Sequence, residues 1–119
     1  SPRGEAVEVA AREEVHVGGA TILSNIAGEQ VEEYQVEITH VYPAAAGDTR
    51  NLMVQVTDPR LLETTGGIVQ GMSGSPILQD GKLVGAVTHV LVNDPTRGYG
   101  ILAENMVSQC VWEEQAQVS

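Results

Sequence analysis

Gly71-Met72-Ser73-Gly74-Ser75-Pro76 sets a serine among glycines. Such a backbone turns tightly enough to present the Ser73 hydroxyl while aiming amide N–H groups at one point, which suits attack on a carbonyl carbon. That point is an oxyanion hole, and this spacing builds it from the amides of Ser73 and Gly71. The same six residues also suit an ordinary Gly-Ser turn between strands, so their surroundings must decide. A serine hydroxyl needs a base, and the chain has three histidines. His16 lies beside Gly18-Gly19 and His40 falls on the polar face of an alternating segment, so both read as solvated surface residues. His89, in Val87-Thr88-His89-Val90, reads as a strand histidine satisfied by local hydrogen bonds. Asp58 and Asp94 each precede a proline, a pairing that makes a turn whose carboxylate caps backbone N–H groups.

The elements that must position these groups are strands. Val is abundant, Phe is absent, there are 13 glycines, and short apolar runs alternate with turn residues. The class is all-β. Val7 and Val9 share one side of a short alternating stretch, and Ala20 to Ile26 makes a second strand after Gly18-Gly19. Val31 to Val41 puts Val36 and Ile38 on one face and Glu37 and Thr39 on the other, until Pro43 ends it. Leu52, Val54 and Val56 then alternate with Met53, Gln55 and Thr57, and Asp58-Pro59 closes that strand. Pro76 to Gln79, Asp80-Gly81 and Lys82 to Val92 form a hairpin, because Asp-Gly supplies the positive φ of a two-residue turn. Gly98 to Leu102 is a last strand, and Glu104 to Glu114 a short C-terminal helix with Met106, Val107 and Cys110 on one face.

This context matters because the serine motif leads through Pro76 into the hairpin and then Gly85-Ala86-Val87-Thr88-His89. The order and spacing resemble chymotrypsin-like peptidases, with Gly-Met-Ser-Gly-Ser-Pro in place of Gly-Asp-Ser-Gly-Gly-Pro. The resemblance assigns the nucleophile to Ser73, since Ser75 falls where that family carries glycine. It narrows through Thr57-Asp58-Pro59-Arg60-Leu61-Leu62, Thr65-Gly66-Gly67-Ile68-Val69-Gln70, Gly85-Ala86-Val87-Thr88-His89-Val90, Val92-Asn93-Asp94-Pro95-Thr96 and Gly98-Tyr99-Gly100. Together these resemble the SpoIVB sporulation peptidases, densely from Thr57 to Gly100 and more loosely back to about Val7.

The resemblance implies a Greek-key β-barrel of the chymotrypsin type, of which residues 1–119 supply the second barrel, the C-terminal part of a serine peptidase domain. It implies that Thr88 and His89 lie on the strand against which substrate pairs. It makes Asp58, fifteen residues before Ser73, the triad acid, while its local chemistry equally suits a structural cap. In that family a PDZ domain and a Gly-His segment with the catalytic histidine lie upstream; neither is in this sequence. The implied substrate is a regulator of a membrane-embedded protease, and the implied location is the intermembrane space reached across the forespore membrane. No metal or cofactor is implied.

The formal net charge of -10 repels phosphate backbones and anionic lipid, which argues against nucleic-acid or peripheral membrane binding. One cysteine, Cys110, permits no internal disulfide. The competing class is a non-catalytic β-barrel interaction module, a truncated or diverged peptidase. An unrelated barrel adaptor would have to match too many separate motifs by coincidence. Without a partner barrel the chain is expected to form a homodimer through strand pairing or exchange of Ala6 to Ile26.

Overall fold

Alternating inward residues of six strands meet in a single core, whose fully buried members include Ile22, Ile38, Leu52, Val54 and Ile77. Each such side chain contributes about 1.5–3 kcal/mol by leaving water. The computed structural model describes residues 7–26, 30–42, 48–68 and 70–106. The strands are β1 (Gly18–Ser24), β2 (Glu32–Val41), β3 (Leu52–Val56), β4 (Pro76–Gln79), β5 (Lys82–Leu91) and β6 (Asp94–Leu102). They close into an antiparallel barrel in the order β1-β2-β3-β6-β5-β4. Two meanders are thus joined at β3–β6 and β1–β4, and the chain between β3 and β4 crosses one end of the barrel. This is the all-β Greek-key fold expected, and β1 has a partner on each side.

That crossover contains α1 (Pro59–Thr65), a helix the sequence reading did not assign. Its signals are present. Asp58 is the N-cap, accepting from the Arg60 amide, proline occupies the first turn, and Gly66 ends the helix in the left-handed region at φ 79°. Asp58-Pro59 therefore closes β3, as expected, and also opens a helix. The β4–β5 hairpin has the expected two-residue turn, with Asp80 at φ 55° and Gly81 at φ 78°.

Three expectations are corrected. Val7 and Val9 belong to no strand and are exposed; Val9 makes only an isolated parallel bridge with Leu83. The reason lies at the edge of β5, where β6 stops at Leu102 opposite Gly85. Beyond that point the N-terminal arm takes over, with Leu83 N donating to Glu8 O and Ala10 N to Leu83 O. Met53, placed by alternation on the solvent face, is buried because His40 and Tyr99 flank it across the sheet. The last strand begins at Asp94 rather than Gly98, since Val92-Asn93 forms the turn and Leu91 pairs with Asp94. Pro95 is tolerated because the β3 partner ends at Arg97. Residues 103–106 are helical; the remainder of the helix expected over 104–114, with Cys110, lies outside the described residues.

The arm is held to the hairpin by side chains. Gln79, buried, donates to His16 O and Gly19 O and accepts from the His16 amide. Lys82 pairs with Glu14, and His16 Nε2 lies 3.0 Å from Asp80 Oδ2. The Asp80 hydrogen bond, aided by Val17 O, raises the His16 pKa. A raised pKa means that the contribution is complete below the ordinary histidine value and is lost as pH rises through the folded one. Protection factors at the Ala10 and Leu83 amides, with the intrinsic pH dependence of exchange divided out, should accordingly be higher at about pH 5.5 than at about pH 8, and His16→Asn should flatten the difference. A second test concerns Gly67, where an added Cβ would lie 2.2 Å from Pro95 O at φ 144°. Gly67→Ala should cost about 3 kcal/mol or more in denaturant unfolding. Gly19→Ala, with nothing within 4 Å, should be neutral or stabilise by about 0.5–1 kcal/mol.

Candidate functional site

A 3-10 turn at Gln70–Met72 tightens the backbone before Ser73, and Gly74 follows at φ 90°, where a side chain would be strained. Met72 is buried and anchors this loop in the core, whereas Ser73 is exposed. Ser75 N donates to Met72 O at 3.0 Å. Two further bonds fasten the loop to β5: Gly74 N to Val87 O at 2.7 Å and Val87 N to Ser75 O at 3.0 Å. The amides of Gly74 and Ser75 are therefore committed to loop geometry, and the oxyanion donors named from the sequence, Gly71 and Ser73, lie on either side of Met72. A Cβ on Gly71 would meet Ile26 at 3.6 Å, so the end of β1 also borders the loop.

Thr88 and His89 follow Val87, the β5 residue that holds this loop. Between Val87 and His89 the pairing with β6 shifts by a bulge, and Thr88 is the extra residue. Its hydroxyl is shared between Thr49 O (3.1 Å) and Tyr99 O (3.2 Å), so Thr88 ties β5 to the loop before β3. His89 stays exposed, opposite Tyr99.

Asp58 is placed differently. Thr57 N and Asp58 N both donate to Gln35 O, Gln35 pairs with Thr21, and Thr21 with Leu78, five residues beyond Ser73. The carboxylate itself is buried. Oδ1 accepts from Arg60 N (2.9 Å) and Nε (3.2 Å), and Oδ2 from Gln35 N (3.0 Å) and Arg60 Nη2 (3.0 Å). Four donors fill about four lone-pair sites. The Arg60 hydrogen bonds, with those from the two amides, hold its pKa down to about 2 against the cost of burial. Arg60 in turn bonds Glu32 and Glu33 O and lies 4.9 Å from the centre of the Tyr34 ring. This anchor joins α1 to β2.

The histidines are dispersed. His16 faces Asp80, His40 bonds Thr39 Oγ1 and stacks on Tyr42, and the Ser73 hydroxyl has no hydrogen-bond partner among the described residues. Nor do the described residues group three or more metal-ligating side chains. A groove of about 630 Å3 runs over the outer face of β1, β2 and β4, past Thr21, Gln35 and Leu78, on the Asp58 side and away from Ser73.

The model of the family described as SpoIVB peptidase S55 matches residues 1–107. The chain belongs to the SpoIVB peptidase S55 family. Two solved structures are similar to this S55 chain. One is Rv3671c from M. tuberculosis H37Rv, an inactive form carrying a serine-to-alanine mutation, with TM-score 0.62 and 20% identity over 87% of this chain and 51% of that one. The other is the Rv3671c protease from M. tuberculosis in an active form, with TM-score 0.63 and 21% identity over 87% and 46%. The chain spans about half the length of each, and at these identities the likeness shows the fold, a chymotrypsin-like barrel. No curated protein sequence matches it.

The placement of Asp58 generates a test. A depressed carboxylate pKa adds stability that is complete above the ordinary aspartate value and is lost as pH falls through about 2. Discounted for the exposed Arg60, it amounts to about 1–2 kcal/mol. Asp58→Ala, which also loses the N-cap and orphans the Gln35 amide, should cost about 2–4 kcal/mol in urea unfolding. Asp58→Asn should cost less, and the acid limb of the stability curve should shrink in both variants.

Proposed function

We propose that this chain is a serine endopeptidase domain in which Ser73 attacks a peptide bond of a regulatory protein. The observation that carries this reading is the exposed Ser73, held by the Gly74–Val87–Ser75 backbone bonds beside a bulged strand. Bulges recur beside active sites, where they re-aim side chains. Ser73 Oγ bonds to the scissile carbonyl carbon while a histidine takes its proton, and the carbonyl oxygen becomes an oxyanion held by the Gly71 and Ser73 amides. The histidine returns the proton to the departing amine as the C–N bond breaks. Water, deprotonated by the same base, then releases the acyl group from Ser73.

In this reading the base comes from an upstream Gly-His segment, because each histidine of this chain has another position or partner. Asp58 acts as a structural anchor: its lone pairs are filled by Gln35 and Arg60, and its register row meets β4 at Leu78. The family name suggests a sporulation role; in this reading the substrate is a regulator of a membrane-embedded protease and the place of action is the intermembrane space. The alternative, a non-catalytic interaction module, is favoured by one observation, a Ser73 hydroxyl with no hydrogen-bond partner among the described residues. Ser73 labelling by a fluorophosphonate in the complete protein separates the two.

Two outcomes are expected. In the complete enzyme Ser73→Ala should lower kcat by about 10⁴-fold or more with unchanged folding, whereas Ser75→Ala should leave turnover measurable. Loss of activity only on replacing Ser75 would reverse the assignment. The 119-residue chain by itself should cleave at background; robust Ser73-dependent cleavage by it would make one of its own histidines the base.

A further inference from the structure

One row of residues runs across the outer face of four strands and ends on the strand that fastens the serine loop. His40 on β2 pairs with Met53 on β3, Met53 with Tyr99 on β6, and Tyr99 with His89 on β5. His89 is two residues from Val87, which bonds the serine loop. Tyr42 thickens the row. Its ring stacks on His40 at 5.7 Å with 2° between planes, and lies 6.3 Å from Tyr99.

Arg50 crowns this platform, its guanidinium carbon 5.4 Å from the centre of the Tyr99 ring. Thr88 steadies it from below, because its hydroxyl holds Thr49 O, the carbonyl immediately before Arg50. Three other cations among the described residues meet acids where Arg50 does not. Arg60 meets Asp58 and Glu32, Lys82 meets Glu14 and Glu8, and Arg97 meets Asp94. Arg50 is exposed, makes no ion pair among the described residues, and its five side-chain N–H donors have no acceptor there. Asp48, its nearest acid in sequence, accepts from the Arg50 backbone amide instead. A guanidinium whose charge is held by a ring keeps its in-plane N–H edge for a carboxylate.

We propose that this face is a specificity subsite that takes an acidic side chain of the peptide substrate, Arg50 reading the carboxylate and Tyr99, Tyr42 and His40 flanking its stem. The location beside Ser73 rests on the peptidase reading. The ligand chemistry rests on charge complementarity, an arginine without an ion pair among the described residues on a chain of net charge -10. That net charge repels anionic peptides at long range but is screened beyond about 8 Å at physiological salt, leaving the local cation to select.

The test titrates the 119-residue chain with hexapeptide pools carrying either Glu or Gln at one fixed position, observing the Arg50 Nε–Hε and Tyr99 ring resonances. The Glu pool should bind about fivefold more tightly than the Gln pool, and Arg50→Ala should abolish the preference. Tyr99→Leu, which removes the ring under the guanidinium, should weaken it. Equal response to the two pools, or a Glu preference that survives Arg50→Ala, overturns the proposal. Fluorophosphonate labelling of Ser73 in the complete protein is scored separately. An unreactive Ser73 with the Glu preference intact sinks the peptidase reading and leaves acidic-peptide binding standing; a reactive Ser73 without the preference sinks only the subsite.

Discussion

Thr21 with Leu78 and Ile22 with Ile77 are the residue pairs that join β1 to β4 and so turn two meanders into a closed barrel. Closure needs β4 to start where β1 ends, which brings Ile26 against Gly71 and the serine loop to the barrel's end. Ile22 and Ile77 are both fully buried, so the seam is held by apolar packing as well as by the ladder. Its energetic weight is disproportionate to its length. Opening it would expose the core and release the Met72 anchor together. It would also create a free β1 edge, the condition on which exchange of the first strands between copies depends.

The second constraint is the crossover between β3 and β4, which must span a barrel end without leaving polar backbone buried. Asp58 meets much of that demand, capping α1 and accepting from the Gln35 amide, while Arg60 neutralises it and reaches Glu32 and Glu33. Gly67 then lets the chain pass against Pro95, with Ile68 N donating to Pro95 O. The Asp58-Pro59-Arg60 run thus has a sufficient architectural cause. Its chemistry resembles that of a triad acid because both tasks require a buried, ionised, fully hydrogen-bonded carboxylate.

Much of this was legible in the sequence where a local rule is strong. Alternation marked β2 through Val36 and Ile38, Asp80-Gly81 announced its hairpin, and the Gly-Met-Ser-Gly-Ser-Pro loop lies where the reading put it, between the crossover and β4. The failures are non-local. Val7 and Val9 alternate like a strand, but whether they pair depends on where β6 stops, which no property of residues 7–9 records. Met53 was assigned to solvent by period, yet lies beneath residues from two other strands. Helix α1 carried all of its capping signals but was masked by reading Asp58-Pro59 only as a terminator. The row from His40 to His89 shows no periodicity in the sequence, because register creates it.

One three-residue string shows how that register was nonetheless written into the chain. Gly98 and Gly100 flank Tyr99 and both point inward, where an added Cβ on Gly98 would meet His89 O at 2.7 Å and one on Gly100 would meet Ala86 O at 2.9 Å. Leu52, Ile77 and Ile68 fill the space on the core side of these glycines, so the core and the outer face are coupled through the same backbone. The close approach of β5 to β6 is what the bulge at Thr88 requires, and the bulge is what lets Thr88 turn to the Thr49 carbonyl while His89 stays outside. Tyr99 is then the one residue of the string that can carry a side chain, and it must carry it outward. Packing inside the barrel thereby fixes the orientation of the strand beside Ser73, and a core substitution at Leu52 or Ile77 would be felt on the outer face without touching it.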